Sequence, residues 1–179
     1  MLVGKAMLTA AVMLAAGSCP DFATAQEAPK DKSAAGCDQL SWSVARERAW
    51  FNDAKLTHRT SGARLRKIDR AVELGLEPTK KVEFFLPPER TPKPHSFGGE
   101  VTFFGVPKPG LYQVTLSDKA RIDVFENGAR LKSAAYTSAN NCPDVRTSVR
   151  FALAPGDLVL VELTNAAKNS IKVAFAEAQ

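Results

Sequence analysis

Residues 109–128, PGLYQVTLSDKARIDVFENG, decide the fold. Tyr112, Val114 and Leu116 alternate with Gln113 and Thr115, and Ile122 and Val124 alternate with Arg121 and Asp123. Successive side chains of an extended chain point to opposite faces, so a period of two marks strands with one face in a core. Asn127-Gly128 follows. Both residues accept positive φ, which a type I′ hairpin turn requires at its two central positions.

The same alternation extends in both directions. Upstream it runs through Val72, Leu74 and Leu76, then Val82 and Phe84, then Val101 and Phe103 after Gly98-Gly99. Downstream, Arg130–Tyr136 reads as the return strand of the hairpin, and Val149, Phe151 and Leu153 alternate with polar or small residues. Pro155-Gly156-Asp157 makes a turn before the apolar run Leu158–Leu163, and Ile171, Val173 and Phe175 form a last strand. About nine short strands with turns roughly every ten residues predict a mainly β chain, an antiparallel β-sandwich. Pro87–Pro94 (PPERTPKP) excludes helix and central strand, and reads as a crossover loop between sheets.

The one helix expected lies at about residues 43–52, within SWSVARERAWFN, with Ser41 or Ser43 as cap. Its Trp42 and Trp50 need an apolar surface. Phe104 and Phe125, which fall out of phase with the buried alternation, offer one, and the expectation is that they lie under the helix.

Residues 1–25 read as a signal peptide: Lys5 is basic, Ala6–Gly17 is apolar, and Ala23-Thr24-Ala25 is a cleavage site between Ala25 and Gln26. A periplasmic or secreted protein follows, not an integral membrane protein. Ala16-Gly17-Ser18-Cys19 also resembles a lipoprotein box, which is the minority alternative. Residues 26–36 form a flexible leader, and 37–179 a single domain large enough for a proper core. Processing leaves Cys37 and Cys142, which an oxidising compartment pairs; two unrelated buried thiols are the other reading.

Few residues carry chemistry. No nucleophile elbow or phosphate loop is present. Asp118, Asp123 and Glu126 surround the hairpin, where turn capping and solvation are expected ahead of calcium binding. Glu83 and Glu100 fall on outward positions, too undefined for a glycosidase pair. The formal charge is +5, and Lys55–Arg70 is basic, with His58, Arg59, Arg64 and Arg66 among its residues. It lacks interleaved aromatics for nucleic acid. A solvated basic face that aids solubility is expected first, with an anionic envelope polymer or an acidic partner protein as the functional alternative, while exposed aromatics would suit a carbohydrate. Phe85, Phe104 and Phe125 are the candidate ligand-binding residues; no catalytic residue, metal ligand or cofactor is assigned.

Pro109–Ser117, Ile122–Val124, the Asn127-Gly128 turn, Leu131 and Pro155-Gly156 resemble the pre-peptidase C-terminal (PPC-like) domain. That resemblance implies a small jelly-roll sandwich attached to secreted bacterial enzymes. Trp42–Trp50, Pro87–Gly99 and Cys142–Phe151 are similar to a group of short exported proteobacterial proteins of unknown function. Some of its members bear the name homogentisate 1,2-dioxygenase. That resemblance implies an iron held by two histidines and a carboxylate. After processing the chain has two histidines, His58 and His95, neither in a metal-binding spacing. The expected function is therefore an exported, non-enzymatic binding or accessory protein, with the dioxygenase as alternative.

Overall fold

The computed structural model describes residues 36–66 and 68–179. The expected signal peptide, the Ala25/Gln26 site, Cys19 and all but the end of the leader lie outside them. Among the described residues no helix is long and apolar enough to cross a membrane.

Twelve strands among the described residues form two six- and five-membered paths packed face to face. They are β1 (Thr57–Thr60), β2 (Ala63–Leu65), β3 (Arg70–Gly75), β4 (Glu77–Pro78), β5 (Phe97–Val106) and β6 (Gly110–Leu116). Then come β7 (Arg121–Glu126), β8 (Ala129–Arg130), β9 (Ala135–Ser138), β10 (Thr147–Leu153), β11 (Gly156–Ala166) and β12 (Ser170–Glu177). The first sheet has the order β1-β3-β12-β6-β10-β9, the second β2-β5-β11-β7-β8, with β4 on β5. The sheets are mixed rather than wholly antiparallel, because β1 joins β3 and β2 joins β5 in parallel. Both exceptions involve short edge strands on either side of the Ser61-Gly62 turn. That turn carries the chain from one sheet edge to the other.

The residues predicted to face inward do so. Val72, Leu74, Val101, Phe103, Tyr112, Val114, Leu116, Val124, Phe151, Val161 and Val173 share one buried cluster. At its centre the Phe103 ring lies 4.7 Å from that of Phe175, which stacks at 5.8 Å on Tyr112. Asn127 and Gly128 take φ of 50° and 81°, as the hairpin turn requires.

Two strand readings fail. Val82 and Phe84 are not in a strand; a 3-10 turn over Thr79–Lys81 ends the pairing, and residues 82–95 run as irregular chain. Arg130–Tyr136 is not one return strand: only Ala129–Arg130 pairs with β7, and Ala135–Ser138 joins β10 in the opposite sheet.

The helix α1 spans Ala45–Phe51, and Ser43 Oγ accepts the Ala45 N–H at 3.4 Å. It lies on the outer face of the first sheet, where Leu40, Val44 and Phe51 pack with Ala174 and Val145. Lys172 Nζ, from β12, donates 2.7 Å to the carbonyl of Phe51, a cation on the helix's unpaired C-terminal end. Cys37 and Cys142 are bonded, with a Cα–Cα distance of 4.4 Å, and tie this arm to the loop before β10. A disulfide fits an oxidising location outside the cytoplasm.

Gln113, Thr115 and Ser148 point out of the first sheet, yet all are buried beneath the arm. Burial of such groups is tolerated only when they are paired. Trp42 Nε1 donates 3.1 Å to Ser148 Oγ, which lies 2.8 Å from Thr115 Oγ1, and Gln113 Nε2 donates 2.9 Å to Glu47 Oε1. Arg46 and Arg150 cover Trp50 and Trp42 from outside, at 5.1 Å and 4.2 Å from the ring centroids.

Candidate binding groove

Among the described residues, no α-helix lies on the outer face of the second sheet. Residues 83–95 cross it instead as a strap, because four prolines, Pro87, Pro88, Pro92 and Pro94, hold this segment extended and short of ladder donors. Glu162 Oε1 accepts the backbone N–H groups of Phe85 and Leu86, at 2.8 and 3.4 Å. Arg130 donates 2.7 Å to the Pro87 carbonyl, Arg121 pairs with Glu89, and Asn165 Oδ1 accepts the Lys93 N–H at 2.7 Å. Gly98 makes room for the strap: a Cβ there would lie 2.8 Å from the Leu163 carbonyl oxygen and 3.1 Å from Phe84 Cζ.

A groove of about 600 Å³ runs beside the strap, and Phe85, Phe104 and Phe125 all line it. Phe125 is 2% exposed and forms its floor; Phe85 is 56% exposed and stands edge-on to Phe125 at 5.8 Å. Phe104 is half-buried, opposite the exposed Leu158 of β11. The three candidate residues therefore meet at one place. The expectation that Phe104 and Phe125 lie under the helix is corrected: they are on the outer face of the other sheet. The helix covers small and polar side chains instead, because Ala71, Ala174 and Ala176 leave space for Trp50 and Phe51.

The same sheet face and its strap carry carboxylates, of which Glu83 and Glu100 line the groove. Glu100, Glu162 and Asp123 form one cross-strand row on this face, Glu162 directly opposite the other two. Glu83, on the strap rather than on a strand, lines the groove together with Glu100. Asp123 is compensated by Arg121 Nε at 3.3 Å and Arg130 Nε at 4.0 Å. Glu162 is 1% exposed, and among the described residues neither its Oε2 nor the buried Oε2 of Glu100 has a hydrogen-bond partner. Burial pushes the Glu100 carboxyl above the usual range. Burial does the same to Glu162; the N–H groups of Leu86 and Phe85 oppose it, and the charges of Glu100 and Asp123 add to it.

A second groove, of about 690 Å³, lies on the other side of the strap between Phe84, Pro88, Pro92 and Phe97. His95 is on its rim, with φ of 57°. His58 is on the edge strand β1 of the other sheet, its Nδ1 3.3 Å from Glu73. Among the described residues no three His, Cys, Asp or Glu side chains gather into a group that could hold a metal. Asp118 pairs with Lys168 at 2.7 Å, and Glu126 accepts the Ala154 N–H at 2.9 Å, so the hairpin carboxylates serve separate turns. The basic stretch is divided between the edge strands β1 and β2 of the two sheets and the start of β3, which lies inward of β1.

No family model, curated protein or solved structure matches the chain.

Proposed function

We propose that the chain is an exported, non-enzymatic binding or accessory protein, a PPC-like jelly-roll sandwich whose ligand occupies the groove beside the strap. One observation carries this reading: Phe85, Phe104 and Phe125, from the strap, β5 and β7, converge on one concavity of about 600 Å³. That size suits a small-molecule site, with apolar walls and a few polar groups for orientation. The disulfide supports the periplasmic or secreted location, which the signal-peptide reading of residues 1–25 also favours.

The dioxygenase reading has less behind it. It needs His58 and His95 at one iron with a carboxylate, and the two belong to the margins of different sheets.

The test is thermal denaturation of wild type and Phe104→Ala against a panel of oligosaccharides, anionic polymers, peptides and small amphiphiles. The expected result is a panel member that raises the Tm of wild type and leaves Phe104→Ala unmoved. Stabilisation of both proteins alike would place the site elsewhere. Iron retained by wild type and lost from His58→Ala would replace the proposal with the dioxygenase.

A further inference from the structure

The protein is basic overall, yet the groove is locally acidic. Glu83 and Glu100 line it, and neither has an ion-pair partner within 4.0 Å among the described residues. Glu100 Oε2 is buried and has no hydrogen-bond partner among the described residues, and Glu162, directly opposite in the ladder, is a second carboxylate next to the groove without lining it. A buried carboxylate oxygen without a donor is costly, and is explained when a ligand supplies the donor. The walls are aromatic. A ring face attracts a cation through its quadrupole. This face of the protein already uses that contact: the Arg130 guanidinium sits 5.0 Å from the centroid of Phe125.

From these features we infer that the groove takes an organic cation with an apolar body, a primary amine or guanidinium carried on an alkyl or aryl chain. The inference rests on the groove being the binding site and names its ligand class. The charged head lies toward Glu100, with Glu83 opposite on the strap; the apolar body lies along Phe104, Phe85 and Leu158. Arg64 of β2, exposed and lining the same groove, opposes the ligand's charge. Its removal tightens binding, an effect that loss of folding cannot imitate.

The probes are octylammonium, octanol and octanoate, matched in chain length, measured by calorimetry at pH 7 in low salt, with a neutral hexasaccharide as fourth arm. Octylammonium is expected to bind at least tenfold more tightly than octanol, and octanoate not at all. Glu100→Gln is expected to weaken octylammonium at least tenfold, Glu83→Gln severalfold, and Arg64→Ala to strengthen it. Circular dichroism confirms that each variant is folded. Equal binding of octanol and octylammonium, or unchanged affinity in Glu100→Gln, overturns the inference. If Phe104→Ala abolishes that charge-blind binding, or binding of the hexasaccharide, the groove stands as the site and only the cation falls. If no probe or panel member binds through Phe104, both readings fall together.

Discussion

Glu162 stands directly across from Glu100 in the β11–β5 ladder, both carboxylates projecting from the outer face of the second sheet. Like charges directly opposite in a sheet are destabilising. Here Glu162 is held by two N–H groups of the strap, and Glu100 by none of the ion pairs around it. The pair is a local cost to the fold, located at the groove.

The sign of that cost follows from the raised carboxyls. A group that binds its proton more tightly when folded stabilises the fold fully below its unfolded pKa, and loses that contribution as pH rises through the folded pKa. Stability therefore falls as pH rises above the ordinary glutamate value of 4.5. Glu100→Gln removes one charge and is expected to raise the Tm by a few degrees at pH 7. The two proteins should melt together near pH 4. A variant melting at or below wild type at pH 7 would show that the charge of Glu100 is already compensated. Stability gained where binding is lost is the usual trade at a functional site.

The disulfide closes a loop with a sequence separation of 105. The chain-entropy model gives such a loop about 4.7 kcal/mol, an upper figure. Replacing Cys37 and Cys142 together by Ala is expected to lower the urea-denaturation free energy by several kcal/mol while the sandwich remains cooperative. A loss below about 1 kcal/mol would mean that packing of Leu40, Val44 and Phe51 holds the arm unaided.

Gly98→Ala tests the strap. The added Cβ meets the Leu163 carbonyl, which is backbone and cannot yield as a side chain would, and the Phe84 ring. Overpacking of this kind costs about 1–3 kcal/mol. Trypsin is expected to cleave after Arg90 faster in the variant than in wild type. An unchanged cleavage rate would show that Glu162, Arg130 and Asn165 secure the strap without the contact at Gly98.

Ser148→Ala tests the polar layer under the arm. It removes the acceptor of the Trp42 Nε1–H and the partner of Thr115 Oγ1. Leaving buried donors unpaired costs about 1–3 kcal/mol. Lower stability with altered tryptophan emission is the expected result; a neutral outcome would show that water replaces the hydroxyl.

Much of this architecture is legible in the chain itself. Alternation over Tyr112–Leu116 and Val149–Leu153 determines which side chains enter the core, because one face of each strand must be buried. Asn127-Gly128 determines a hairpin, because both residues tolerate positive φ. The pairing of Cys37 with Cys142 is an expectation that rests on reading residues 1–25 as a signal peptide, with two separate thiols as the alternative; the tertiary structure bonds them. A period of two says nothing, however, about what covers the outward face. Gln113, Thr115 and Ser148 alternate with core residues as polar positions, and only the tertiary structure buries them, matching Gln113 to Glu47 and Ser148 to Trp42 on the arm, and Thr115 to Ser148. Phe104 and Phe125 read as a landing surface for the helix. The tertiary structure gives the helix to the alanine-lined face of the other sheet and lays the proline strap beside the aromatics. The same choice sets Glu100, Glu162 and Asp123 in one row, since sequence separation carries no register between strands that meet only after the chain has crossed from sheet to sheet.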